Sequence, residues 1–440
     1  MKKPFQTLPF TCLGSARSVS ALLGTVALAL ATPTLLAAPG GKGKPGGGGG
    51  GGGGGGEDPP PTAGAVTVIP MPDGAVDYYL GGLNDLGQAV GSTDVSVGRR
   101  ESAWGPAVLW TGTEMLTLQP LLGDESAHAY EVAETETGTL LVCGFSNAGT
   151  EVYLPDTRAV WWAGDPGSMT VGDWNELLPA DSTLNLTEAR AVTSDGKYVL
   201  FVVGPAMIVP DFGTDIAIVA EVSYDEASGA PLALDPCWEI GPVELEADEV
   251  IVPNDLTLGV GLDASGQETA FVRACGSAAS RGFMWELDLD SGDATWTEFD
   301  LYPGVDPGYA SSDCTGVNRV GAVALLGWQY GSYTKGYFWS GDPLAAPVSL
   351  DGADGSDLSA RAIDPLGVIV GDAGTGNDAF AFLWTSGSGL VPLNALVTTS
   401  FDLRTSTSIN ASGQILAWGY DSAAKKQGSR YVIVEPNGNW

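Results

Sequence analysis

What this chain lacks excludes several kinds of chemistry. One histidine, His128, stands among 440 residues, so a histidine-rich zinc site or a histidine-based triad has too few imidazoles to draw on. The serine phrase Gly144-Phe145-Ser146-Asn147-Ala148-Gly149 lacks the GxSxG spacing of a nucleophile elbow. Lys and Arg number 19 against 53 Asp and Glu, a formal net charge of -34. That balance removes the positive field which nucleic acid or an anionic membrane surface would require. The five cysteines form no CxxC pair, and no segment carries the 3.6-residue apolar period of an amphipathic helix.

What is present argues for a packed domain behind an address. Hydrophobic residues make up 44% of the chain, with 13 Trp, 13 Tyr and 12 Phe, enough apolar surface to exclude a disordered acidic tail. Met1-Lys2-Lys3, Arg17 and the apolar stretch from Ala21 to Leu36 have the layout of a secretory signal over residues 1–38, with cleavage after Ala37 or Ala38. Residues 39–64 hold eleven consecutive glycines (Gly46 to Gly56) and Pro59-Pro60-Pro61, a linker whose reach is on the order of 25 Å. The expected protein is exported, to the cell surface, the medium or the periplasm, with no membrane span after processing, and monomeric.

Beyond the linker the sequence repeats. Leu83-Asn84-Asp85-Leu86-Gly87-Gln88 returns as Leu262-Asp263-Ala264-Ser265-Gly266-Gln267, Val317-Asn318-Arg319-Val320-Gly321, Ile363-Asp364-Pro365-Leu366-Gly367 and Ile409-Asn410-Ala411-Ser412-Gly413-Gln414. Looser copies end at Gly138 and Gly196, so the central glycines are spaced 51, 58, 70, 55, 46 and 46 residues apart. An Asn or Asp whose side-chain oxygen closes a turn, with Gly three residues on at positive φ, makes a tight hairpin between two strands. A third apolar segment ending in Trp follows (Trp110, Trp162, Trp285, Trp339, Trp384), and then a fourth short one. Four strands per period define a propeller blade. The fold expected is all-β: a seven-bladed β-propeller over 65–440, with blades near 76–125, 126–182, 183–236, 249–308, 309–356, 357–400 and 401–440. The last repeat lacks a fourth strand, which 65–75 supplies to close the ring and remove the open edge.

These phrases resemble the extracellular HAF-repeat family, named for a His-Ala-Phe-like phrase before a Trp and paired with an Ile-Asn-x-x-Gly-Gln phrase. The resemblance covers essentially 65–434 and implies a secreted propeller-like protein of unassigned role. The chain departs at the signature histidine, where Pro106, Arg158, Arg281, Lys335 and Phe380 stand instead.

Strand direction gathers the longer loops on one face and the tight turns on the other. The loop face is expected to carry Arg99, Arg100, Arg158, Arg281, Lys335, Lys425 and Lys426 together with Trp104, Trp328 and Tyr330, a set suited to an anionic or saccharide partner. The expected function is therefore non-enzymatic, an extracellular binding or surface-interaction module for a protein or polysaccharide. The alternative is a carbohydrate-active hydrolase or lyase using channel carboxylates. Arg190 and Arg361 share one register of the innermost strand and are expected at the central channel, paired with acids. The recurring Trp residues belong to cores between blades. The acidic runs 288–293 and 351–357 offer oxygen ligands for Ca²⁺, although neither matches an EF-hand loop and the first equally makes a hairpin turn. No other cofactor is implied. Among the cysteines Cys237 with Cys275 is the expected disulfide, because one opens the connection into the fourth blade and the other ends its second strand. Cys275 with Cys314 also joins neighbouring blades.

Overall fold

The computed structural model describes residues 62–96, 102–148, 157–204, 216–240, 251–262, 267–278, 280–305, 309–350, 357–421 and 428–437. Within them the chain forms seven four-stranded antiparallel sheets, each a blade of the expected propeller. The inner strands are Ala75–Leu83, Ser126–Glu134, Leu186–Val192, Ile251–Leu262, Ala310–Val317, Leu358–Ile363 and Phe401–Ile409. The seventh blade has three strands of its own, and Thr62–Ile69 pairs antiparallel with Ser429–Asn437 as the fourth. That closing strand is also locked to the first blade, since the Tyr78 hydroxyl donates to the Ile69 carbonyl and accepts from the Tyr431 N–H, both at 2.9 Å.

Two strand faces alternate, so each blade buries both faces against its neighbours. The result is seven separate apolar cores, one at each blade interface and none at the axis. Trp110, Trp162, Trp285, Trp339 and Trp384 are all buried in these cores. Among the described residues no helix is long and apolar enough to cross a membrane.

The turn phrase does what its residues dictate. At Asn84 the side-chain oxygen accepts from the Leu86 and Gln88 N–H groups (3.1 and 2.9 Å), and Gly87 takes φ 73°. The same closure is built on Asn318, Asp364 and Asn410. Gly138, Gly196, Gly321, Gly367 and Gly413 share the positive φ, and Gly266 lies outside the described residues. The turns then join blade to blade. Asn410 Nδ2 donates to the Asn84 carbonyl at 2.7 Å across the closure, Asn318 Nδ2 to the Asp364 carbonyl at 3.0 Å, and Arg273 Nη1 to the Arg319 carbonyl at 2.8 Å.

The expected Cys237–Cys275 disulfide is not formed; Cys143, Cys237, Cys275 and Cys314 take part in no disulfide among the described residues. Cys237 lies on the outer strand of the third blade and packs on the core shared with the second. Cys275 is sealed in the core between the fourth and fifth blades. Two different blade interfaces separate the pair, which consecutive position along the chain did not reveal.

Candidate functional site

Each inner strand has a β-bulge, a residue skipped by the ladder with its second strand. Val76, Thr187 and Arg404 are skipped in the first, third and seventh blades, and each of the seven blades skips one residue nearer the axis: Gly81, Tyr130, Arg190, Asn254, Thr315, Arg361 and Thr407. A bulge takes its extra residue out of pairing and turns it away from the sheet. All seven line the central cavity, whose volume is about 690 Å³. Its lining continues to the tight turns, including Asn84, Asn318, Pro365 and Asn410, so the cavity opens on the turn face.

Arg190 and Arg361 stand at this cavity, each beside an acid. Arg190 Nε lies 2.5 Å from Glu188 Oε2 at an angle outside hydrogen bonding, and its guanidinium covers the Tyr130 ring at 4.5 Å. The Tyr130 hydroxyl donates to Glu188 at 2.9 Å. Arg361 Nε donates to Asp372 Oδ1 at 2.5 Å.

Besides Asp85 of the turn phrase, three further carboxyls line the cavity, and sequence reasoning did not single them out. Burial pushes Glu131 up to about 8, with the neighbouring Asp255 charge adding to the shift and backbone N–H groups opposing it. Asp313 is raised by burial to about 6, against hydrogen bonds from Ser277 and Asn254. Asp255 is raised by burial, although its oxygens accept from Leu256 N and Val317 N at 2.8 and 2.9 Å. The Val317 bond reaches the next blade, so Asp255 also ties two inner strands together.

The loop face differs from expectation in its charges. Arg158 Nη2 donates to Asp124 at 2.6 Å while its Nη1 lies 3.8 Å from Asp173, and Arg281 pairs with Glu298. Lys335 is exposed and makes no ion pair among the described residues. Arg99, Arg100, Lys425 and Lys426 lie outside the described residues. Trp104 packs inward, its ring 5.5 Å from His128 and 5.7 Å from Phe145. Burial in that aromatic cluster, helped by the Arg190 charge, lowers His128 to about 4.

Rings, by contrast, are open to solvent along the loop edge of the fifth blade. Tyr309, Trp328, Tyr330 and Tyr333 are 57%, 39%, 72% and 51% exposed. Tyr330 N donates to the Tyr309 carbonyl at 2.7 Å, and their rings meet edge to face at 6.1 Å. Tyr309 joins this group through a strand pairing that its distance in sequence hides.

Of the acidic runs, 288–293 forms the turn: Asp288 Oδ1 accepts from Asp290 N and Ser291 N at 2.9 and 3.1 Å, and Gly292 has φ 76°. Residues 351–356 of the second run lie outside the described residues. Among the described residues no three or more His, Cys, Asp or Glu are grouped to hold a metal ion.

No known family's sequence model matches the chain, and no curated protein matches it. Solved propellers do match in shape. One is an oligogalacturonate lyase in complex with manganese, 11% identical over 85% of this chain and 98% of that one, with a TM-score of 0.41. A periplasmic gluconolactonase of Pseudomonas aeruginosa is 14% identical over 79% and 98%, with a TM-score of 0.36. The SapL1 lectin in complex with alpha methyl fucoside is 12% identical over 72% and 95%, with a TM-score of 0.33. Likenesses this loose transfer neither a residue nor a reaction.

Proposed function

We propose that this is an exported, HAF-repeat-like propeller that binds an extracellular saccharide polymer through the loop edge of its fifth blade. The observation that supports the reading is the group of four exposed rings, Tyr309, Trp328, Tyr330 and Tyr333. A folded chain rarely leaves several large rings together in water unless something covers them. Sugar rings suit such a surface: their C–H faces are apolar and lie flat on an aromatic face, while hydroxyls at the edge reach the phenol groups and water. Ring stacking, rather than charge, carries this recognition. The described cations of the face that sequence pointed to are matched by Asp124, Asp173 and Glu298, with Lys335 the exception. A neutral polymer suits such a ring surface best.

Affinity electrophoresis of the purified protein through gels containing neutral or acidic polysaccharides tests this. Retardation by a neutral glycan, lost on W328A together with Y330A, is the expected result. Retardation that survives the double substitution, or that occurs only with acidic glycans, would falsify the reading.

A second reading is cleavage of the glycan by channel carboxyls. It is favoured by Glu131, which holds its proton up to about pH 8 in the same cavity as Asp313, which is raised only to about 6. Carboxyls with separated pKa values are the pairing that general acid and base chemistry uses. Analysis of the retarded glycan for new chain ends decides between binding alone and cleavage.

A further inference from the structure

We propose that the turn-face cavity is a second, independent binding site, for a small neutral saccharide of one or two rings. None of the four exposed rings of the fifth blade lines it, so it stands or falls apart from the loop-face reading. The cavity, about 690 Å³, falls within the roughly 300–1,000 Å³ typical of small-molecule pockets.

The bulge ring gives the cavity its chemistry. Five of the seven bulge residues, Gly81, Arg190, Thr315, Arg361 and Thr407, lie three positions before the turn residue of their blade and so stand at one level. Thr315 and Thr407 direct their hydroxyls back to strand carbonyls (3.3 and 3.5 Å). The guanidiniums do not close on themselves in this way. Among the described residues Arg190 makes no hydrogen bond and Arg361 makes one, through Nε. Free donors from the third and sixth blades thus face one space and call for a ligand with accepting oxygens.

The charges then decide which ligand. Arg190, Arg319 and Arg361 share the lining with Asp85, Glu131, Asp255 and Asp313. The lining thus sets three arginines against four acids, of which Glu131 keeps its proton at neutral pH. Beyond the lining itself, Arg190 and Arg361 are each already beside a carboxylate. An ion of either sign gains little there. A polyol gains at every edge, its oxygens accepting from the arginines and its hydroxyls donating to carboxylate oxygens.

Gly81 leaves the ring open on one side: a Cβ built there meets nothing within 4 Å, and its φ is not in the left-handed region. G81W therefore plugs the cavity while the blade is left intact. Isothermal titration and saturation-transfer NMR on the purified protein would use glucose, galactose, mannose, xylose, N-acetylglucosamine and their disaccharides, with galacturonate and spermidine as charged probes. The expected result is saturable binding of a neutral sugar, abolished by G81W, weakened at least tenfold by R361Q and unchanged by W328A with Y330A. R361Q serves if G81W does not fold, because Arg361 is exposed and makes only one ion pair. Three results overturn the proposal: no neutral sugar binding, binding confined to galacturonate or spermidine, or binding that G81W or R361Q leaves intact. Loss of binding with the loop-face pair instead would return the sugar to the fifth blade.

Discussion

The two ends of the propeller follow different rules. On the turn face the described turns repeat one device, an Asx or Thr turn closed by Gly at positive φ and joined in several places to the next blade by a side-chain amide or guanidinium. On the loop face the blades differ: one edge carries four exposed rings, another an Arg158–Asp124 pair, and another packs Trp104 inward. Repetition marks what every blade needs in order to fold. Its breakdown marks surface free to recognise something.

The sharpest way to break that contrast is to strike the repeated part. In five blades a glycine of the second strand pairs with the residue just before an inner-strand bulge, and a Cβ there would run into a backbone carbonyl. At Gly144 the clash is with the His128 carbonyl at 1.9 Å. Backbone cannot move aside as a long side chain does. G144V is expected to cost more than about 4 kcal/mol, read as loss of soluble protein or of the cooperative thermal transition. A G144V protein melting within a few degrees of the parent would show that the bulge is not held by this contact.

Next comes the seam. Asn410 accepts from Ser412 N and Gln414 N and donates to the Asn84 carbonyl, joining the last blade to the first. N410A leaves those groups without their partner at a buried position, with an expected loss of roughly 2–3 kcal/mol in chemical denaturation. The same change at a loop-face residue should cost a fraction of this.

The channel titrates with a definite sign. Glu131 is raised to about 8, so between its ordinary value and pH 8 the folded chain holds a proton that the unfolded chain has lost. Stability from this group is therefore fully present at low pH and falls as pH rises through 8. Asp313, raised to about 6, acts in the same direction at lower pH, whereas His128, lowered to about 4, opposes it below pH 6.5. The clean window is pH 6.5 to 8. There the melting temperature should fall by roughly 2 °C, for a loss of about 2 kcal/mol. E131Q, which has no proton to release, should flatten the slope; an unchanged slope would place its source elsewhere.

Much of the scaffold was legible in the sequence because it rests on local chemistry. The Asn-x-x-Gly phrase states a turn in four residues, and Trp at one blade position states a core. The incomplete seventh repeat likewise pointed to 65–75 for its missing strand, which the chain forms over Thr62–Ile69. The site was less legible because it is built by pairing. A bulge is a difference in count between two strands, so Tyr130 and Asn254 look like ordinary strand residues until the register is known. A signal did exist: Gly91, Gly144, Gly276, Gly371 and Gly419 are strand glycines with no turn to make, and glycine inside a strand marks close backbone approach. Glu131 and Asp255 were hidden for another reason. Among 53 acidic residues nothing in one sequence separates a carboxylate enclosed by three blades from one in open water.

The smallest expected effect on stability belongs to the substitution with the largest expected effect on binding. Tyr330 is 72% exposed and Trp328 39%, and neither belongs to a core between blades, so W328A with Y330A removes only edge contacts, with an expected change in stability of about 1 kcal/mol or less. The melting curve should overlay that of the parent within about 1 °C while retardation by glycan is lost. If instead the double variant melts several degrees lower, the rings brace the fifth blade as the buried Trp339 does. The loop edge would then belong to the repeated scaffold, and the contrast between the two faces would fail where it matters most.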